Sequence, residues 1–130
     1  MAVSKCVTGI QHVGIPTKDI EKTIDFFTKL GFEIILQTVN EATSQKVAFL
    51  QLKNLTIETY ESSSASGSAG AIDHIALDVD DIEMAFKTIN LGGFKVLDSE
   101  IQSLPFFEHG VRFFTIEGPN AEKVEFSQKL

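Results

Sequence analysis

Two stretches of this chain superimpose without a gap when one is displaced by 62 residues. The displacement sets Ile10 against Ile72, His12 against His74, Asp19 against Asp81 and Ile20 against Ile82. It continues through Glu21 and Glu83, Gly31 and Gly93, and Phe32 and Phe94. Self-similarity of this kind narrows the fold to two copies of one supersecondary unit. It also puts two of the three histidines at equivalent positions.

The first copy opens with Ile10–Ile15, which alternates as a strand. Val13 and Ile15 turn toward a packed helix layer, and His12 and Gly14 turn away from it. Pro16-Thr17 ends the strand, and Thr17 or Asp19 can cap the helix Asp19–Leu30. Ile20, Ile24, Phe27 and Leu30 keep helical spacing, and Gly31 is placed to stop the helix in a left-handed turn. Strands follow at Phe32–Val39, Val47–Leu52 and Leu55–Tyr60, the last two joined by Lys53-Asn54 as a hairpin. In the fourth strand Leu55, Ile57 and Thr59 share the apolar face, so Glu58 projects onto the face given to His12.

Glu61–Gly70 has the composition of a flexible linker. The second copy then predicts a buried strand at Ile72–Val79, a helix Asp81–Leu91 stopped by Gly92-Gly93, and a strand Phe94–Leu97. A long loop, Asp98–Gly110, leads to strands Val111–Glu117 and Lys123–Gln128. Glu125 ends the second copy as Glu58 ends the first. The expected fold class is α+β: one domain over 1–130, built from module 8–60, linker 61–71 and module 72–128. Each module has strand–helix–strand–strand–strand order, with a helix on one sheet face and the other face lining a common cleft.

Composition sets the class of partner. Ten Lys, a single Arg (Arg112) and a net charge of −7 argue against nucleic acid, which calls for a basic face. No segment has membrane length and the start has no signal-peptide run, so no membrane partner is expected. Cys6 is the only cysteine, which excludes an intramolecular disulfide and suits the cytoplasm. It reads as a small buried hydrophobe near the first strand.

Two imidazoles and two carboxylates on symmetry-related positions form a metal-ligand set: His12, Glu58, His74 and Glu125. Hard oxygens with borderline nitrogens suit one divalent first-row ion, Ni, Co or Zn foremost, with Mn and Fe compatible. Arg112 is a candidate for holding a substrate carboxylate, with a plain surface strand residue as the alternative. His109, beside Phe106-Phe107, is placed either at the cleft mouth or on an exposed loop.

His12-Val13-Gly14-Ile15, Thr56-Ile57-Glu58, His74-Ile75-Ala76-Leu77 and Lys123-Val124-Glu125-Phe126 resemble the vicinal oxygen chelate superfamily. This is the glyoxalase, bleomycin-resistance and dioxygenase group. The resemblance covers about Ile10 to Gln128 and implies paired βαβββ modules forming an open barrel around a metal cleft. The His-Glu-His-Glu pattern is similar to that of glyoxalase I, which implies a metal-dependent lyase or isomerase. Its substrate would be a small α-carbonyl or hydroxy compound, such as a glutathione hemithioacetal. Glu125 and Glu58 would then be the catalytic acid/base pair, and a homodimer is expected. Pro16 stands where bacterial glyoxalase I carries an arginine that helps hold glutathione.

Other functions fit less of the pattern. An epimerase of methylmalonyl-CoA type usually carries Gln in place of Glu58. Extradiol ring cleavage uses a two-His, one-carboxylate iron site, and Glu58 adds a further ligand. Proteins that only sequester bleomycin or fosfomycin lack the ligand set that is intact here.

Overall fold

Asp19 and Asp81 cap the two helices in the same way, and each module is built around that junction. The computed structural model describes residues 2–130. Helix α1 spans Ile20–Lys29, and the Asp19 side chain accepts from the Lys22 N–H. Helix α2 spans Ile82–Leu91, and the Asp81 side chain accepts from the Met84 N–H. A second donor of each first turn is satisfied from a strand end. The Ile20 N–H donates to Glu61 Oε2 at 3.1 Å, and the Ile82 N–H donates to Gln128 Oε1 at 2.9 Å. These bonds satisfy backbone donors that every helix start leaves open.

The first compact unit ends at Ala65 and the second begins at Ser66. In the first, β1 (Val13–Thr17), β2 (Glu33–Asn40), β3 (Gln45–Leu52) and β4 (Leu55–Glu61) form a sheet in the order β1-β4-β3-β2. Strands β1 and β4 run parallel, and the other pairs run antiparallel. The helix-facing side is closed by Phe27, Ala48, Leu50 and Ile57, all essentially buried. Phe27 meets Phe26 and Phe32 edge to face. Burying each large apolar side chain contributes about 1.5–3 kcal/mol.

The second unit repeats the plan. Strands β5 (His74–Asp78), β6 (Lys95–Val96), β8 (Val111–Glu117) and β9 (Lys123–Lys129) take the order β5-β9-β8-β6. A further strand, β7 (Gln102–Leu104), also pairs with β8. Phe114, Ile116 and Val124 fill the helix-facing core, with Phe86 of α2 against Phe114.

The α+β class and the repeated modules agree with the sequence reading, and neither sheet closes into a barrel. Several expectations need correction. The first strands start later than the repeat suggests, at Val13 and His74 rather than Ile10 and Ile72. Continuing the parallel register places Ile10 opposite Asn54 in the β3–β4 turn, and Ile72 opposite Ala121 in the loop before β9. Neither has a partner strand to join, and both are about three-quarters exposed. Strand β5 is not buried; it is an edge strand whose exposure alternates. Strand β1 continues through Pro16, which an edge strand tolerates because one side needs no donor. Cys6 is exposed, since the chain before β1 holds only a short 3₁₀ turn at Val3–Lys5. Part of the expected 98–110 loop is β7.

Among the described residues, no helix is long and apolar enough to cross a membrane.

Candidate metal centre

Parallel pairing sets the geometry of each half. In the first unit Gly14 stands beside Glu58 in the β1–β4 register. His12 lies just before β1, and its Nε2 is 3.7 Å from Glu58 Oε1. Both side chains are about 30% exposed, so they face off the core while staying sheltered. Phe49 meets the His12 ring edge-on at 5.4 Å. A Cβ at Gly14 would lie 3.8 Å from Glu58 Oε1 and from the Tyr60 ring, so the small residue leaves room for both.

The second unit repeats the arrangement. Ala76 stands beside Glu125 in the β5–β9 register, and His74 Nε2 is 3.3 Å from Glu125 Oε2. Glu125 is the more sheltered of the two carboxylates, with 19% of its side chain exposed against 29% for Glu58.

What sequence reasoning missed is the residue before each histidine. Gln11 Oε1 accepts from His12 Nδ1 at 2.9 Å, and Asp73 Oδ2 accepts from His74 Nδ1 at 3.0 Å. Each bond orients its imidazole from the Nδ1 side and points Nε2 at the carboxylate, so that Nε2 can serve as a metal ligand when it carries no proton. Lys123 Nζ donates to the other Asp73 oxygen at 3.1 Å. The hydrogen bond from His74, and then Lys123, holds the Asp73 carboxyl below its ordinary pKa. The signal was present in the sequence as an acceptor side chain at equivalent repeat positions.

Comparison with known proteins decides the family. The model of the glyoxalase/bleomycin resistance protein/dioxygenase superfamily matches residues 9–125. The chain belongs to this superfamily. The Bacillus subtilis protein YwbC is 34% identical over 125 residues, covering 92% of this chain and 97% of its own. A glyoxalase family protein from Enterococcus faecalis superimposes with a TM-score of 0.78 at 20% identity, covering 92% of this chain and 97% of that one. FosX from Listeria monocytogenes, a fosfomycin resistance protein solved with Mn(II) and sulfate, superimposes at 0.71 with 18% identity. That match covers 95% of this chain and 94% of FosX. The fold is thus shared with both of these solved structures.

FosX was solved with Mn(II), and the spacing of each His–Glu pair here fits a divalent ion. Two donors each about 2.0–2.2 Å from one ion stand roughly 3.0–3.5 Å apart. The 3.3 Å pair meets this spacing and the 3.7 Å pair needs only a small side-chain rotation. Within either unit, among the described residues, no group of three or more His, Cys, Asp or Glu side chains gathers as a metal-holding cluster. Each unit pairs one imidazole nitrogen with one carboxylate.

The two other residues singled out from sequence lie elsewhere. Arg112 shares the helix-facing side of β8 with Phe114 and Ile116, because side chains alternate along a strand. Its Nη2 pairs with Glu83 Oε1 of α2 at 3.2 Å, away from the open face that carries Glu125. Arg112 thus stands as a helix–sheet tie on β8, in line with the strand-residue alternative. His109 stands on the exposed 105–110 loop, with Nε2 3.6 Å from Glu108 Oε1. It lines a small depression with Pro105 and Leu130, not the space beside His74.

Proposed function

We propose that this protein is a metal-dependent lyase or isomerase of the glyoxalase I type. It moves a proton between adjacent carbons of an α-carbonyl or α-hydroxy substrate, a glutathione hemithioacetal among them. One observation carries this reading. Two His–Glu pairs occur at equivalent registers, and each imidazole is held from behind so that Nε2 faces its carboxylate.

His12, Glu58, His74 and Glu125 together hold one divalent transition metal, with Ni, Co and Zn favoured over Mn and Fe. A homodimer is the assembly we infer. When bound, the ion supplies Lewis-acid polarisation of a substrate oxygen, which acidifies the adjacent C–H. The chain's own groups do the rest. The Glu125 carboxylate takes the proton from the first carbon and passes it to Glu58, which delivers it to the neighbouring carbon; the hydroxyl proton moves to the former carbonyl oxygen, so both carboxylates end as they began. His12 and His74 stay oriented through Nδ1, tied to Gln11 and Asp73.

Proton NMR in D₂O tests the reaction class. Metal-loaded protein with methylglyoxal and glutathione, or another thiol, should give a 2-hydroxyacyl thioester. Glu125→Gln should lose turnover by about 10²-fold or more, the scale of general-base catalysis, with its fold intact. Retained turnover in that variant would remove Glu125 as the base.

A further inference from the structure

A second feature of the open face extends well beyond what the chelating α-carbonyl end of a substrate needs. A cavity of about 930 Å³ in the second unit begins at His74 and Glu125 and runs along β5 and β9 toward the 105–110 loop. Its far wall is Leu104, Phe106, Phe107, Val111 and Phe113. Cavities of this size hold drug-sized ligands, and this one joins an apolar wall to a polar pair at one end.

Three details make the wall more than exposed surface. Phe106 and Phe107 are 55% and 62% exposed, adjacent large aromatics beside a polar pair. Phe107 sits at φ 63°, a conformation that bulky side chains rarely adopt and that tends to mark functional positions. Its ring lies 4.4 Å from Lys129 Nζ, which fixes the ring against the end of β9. The charged lining otherwise consists of Asp78 and Asp80, so Lys129 is the one cation against several carboxylates. Such a lining repels a phosphate or phosphonate.

We propose that the substrate carries an aromatic or branched apolar arm that lies against Phe106 and Phe107, and that these residues determine its class. The inference rests on the metal-site reading for the chelating end of the substrate, and on the cavity alone for the arm.

Acetohydroxamate and benzohydroxamate separate the two ends, because both chelate through the same two oxygens and only one carries a ring. Calorimetric titration of the Ni-loaded protein should show benzohydroxamate binding roughly tenfold tighter, from burial of the ring. The double variant Phe106→Ala with Phe107→Asn, where Asn tolerates the positive φ, should bring the two within about twofold. Acetohydroxamate itself should bind the variant as it binds the parent. Benzyl alcohol titrated into metal-free protein should shift amide resonances at Leu104, Phe106, Phe107 and Phe113. Equal hydroxamate affinities in the parent, or no shifts at these residues, would overturn the proposal. Shifts at these residues with no metal uptake would overturn the metal reading and leave the arm pocket standing.

Discussion

The Asp73 carboxylate accepts a hydrogen bond from His74 Nδ1 at 3.0 Å, whereas His12 makes its equivalent bond to the neutral amide of Gln11. The two halves are therefore alike in geometry and unequal in charge. A carboxylate behind an imidazole raises its strength as a ligand and fixes its tautomer. Asp73→Asn should weaken metal affinity by about 10-fold or more, and Gln11→Leu by less. Competition with a chromophoric chelator measures both. Equal losses would mean that the charge behind His74 does not matter.

The same carboxylate predicts a pH dependence. Asp73 is held below its ordinary pKa, first by the His74 hydrogen bond and then by Lys123. A depressed carboxylate contributes stability above its unfolded pKa, and that contribution disappears as pH falls through the folded value. Metal-free parent and Asp73→Asn should therefore differ in urea midpoint at neutral pH and converge in acid. The difference should be small, because Asp73 is exposed to solvent. A gap that widens in acid would contradict the assignment.

Gly14 should matter through its size alone, since its φ is not positive. A Cβ at this position would make an ordinary 3.8 Å contact with Glu58 Oε1 and the Tyr60 ring, so Gly14→Ala should fold and keep metal. Gly14→Leu should push Glu58 away from His12 and lose metal with little change in thermal midpoint. Metal content and melting temperature, measured on both variants, check this pair of outcomes.

Thr59 gives a stability prediction on the other face of β4. Its Oγ1 is buried and has no hydrogen-bond partner among the described residues. Thr59→Val removes the unsatisfied hydroxyl at similar volume and should stabilise the fold by about 1 kcal/mol. A raised urea midpoint with an unchanged slope is the expected result.

Much of this was legible in the repeat. Asp19 is one of two residues that the sequence allows as the cap of the first helix, and alternation from Ile57 turns Glu58 off the core; the matching cap at Asp81 follows from the same displacement. Strand starts were not legible, because alternation through Ile10 and Ile72 continues past the point where β4 and β9 begin. The face of Arg112 was not legible, because it depends on the phase of β8, which Phe114 and Ile116 set by packing under α2. Gln11 and Asp73 were passed over because polar residues before a strand ordinarily face solvent.

Elemental analysis of tag-free protein, after incubation with Ni, Co or Zn and desalting, tests the central claim most directly. The parent should retain a near-stoichiometric divalent ion, and Glu58→Gln and His74→Ala should each lose most of it while keeping the parent circular dichroism spectrum. A parent that takes up none of these metals would contradict the four-residue centre, as would variants that hold metal as well as the parent does.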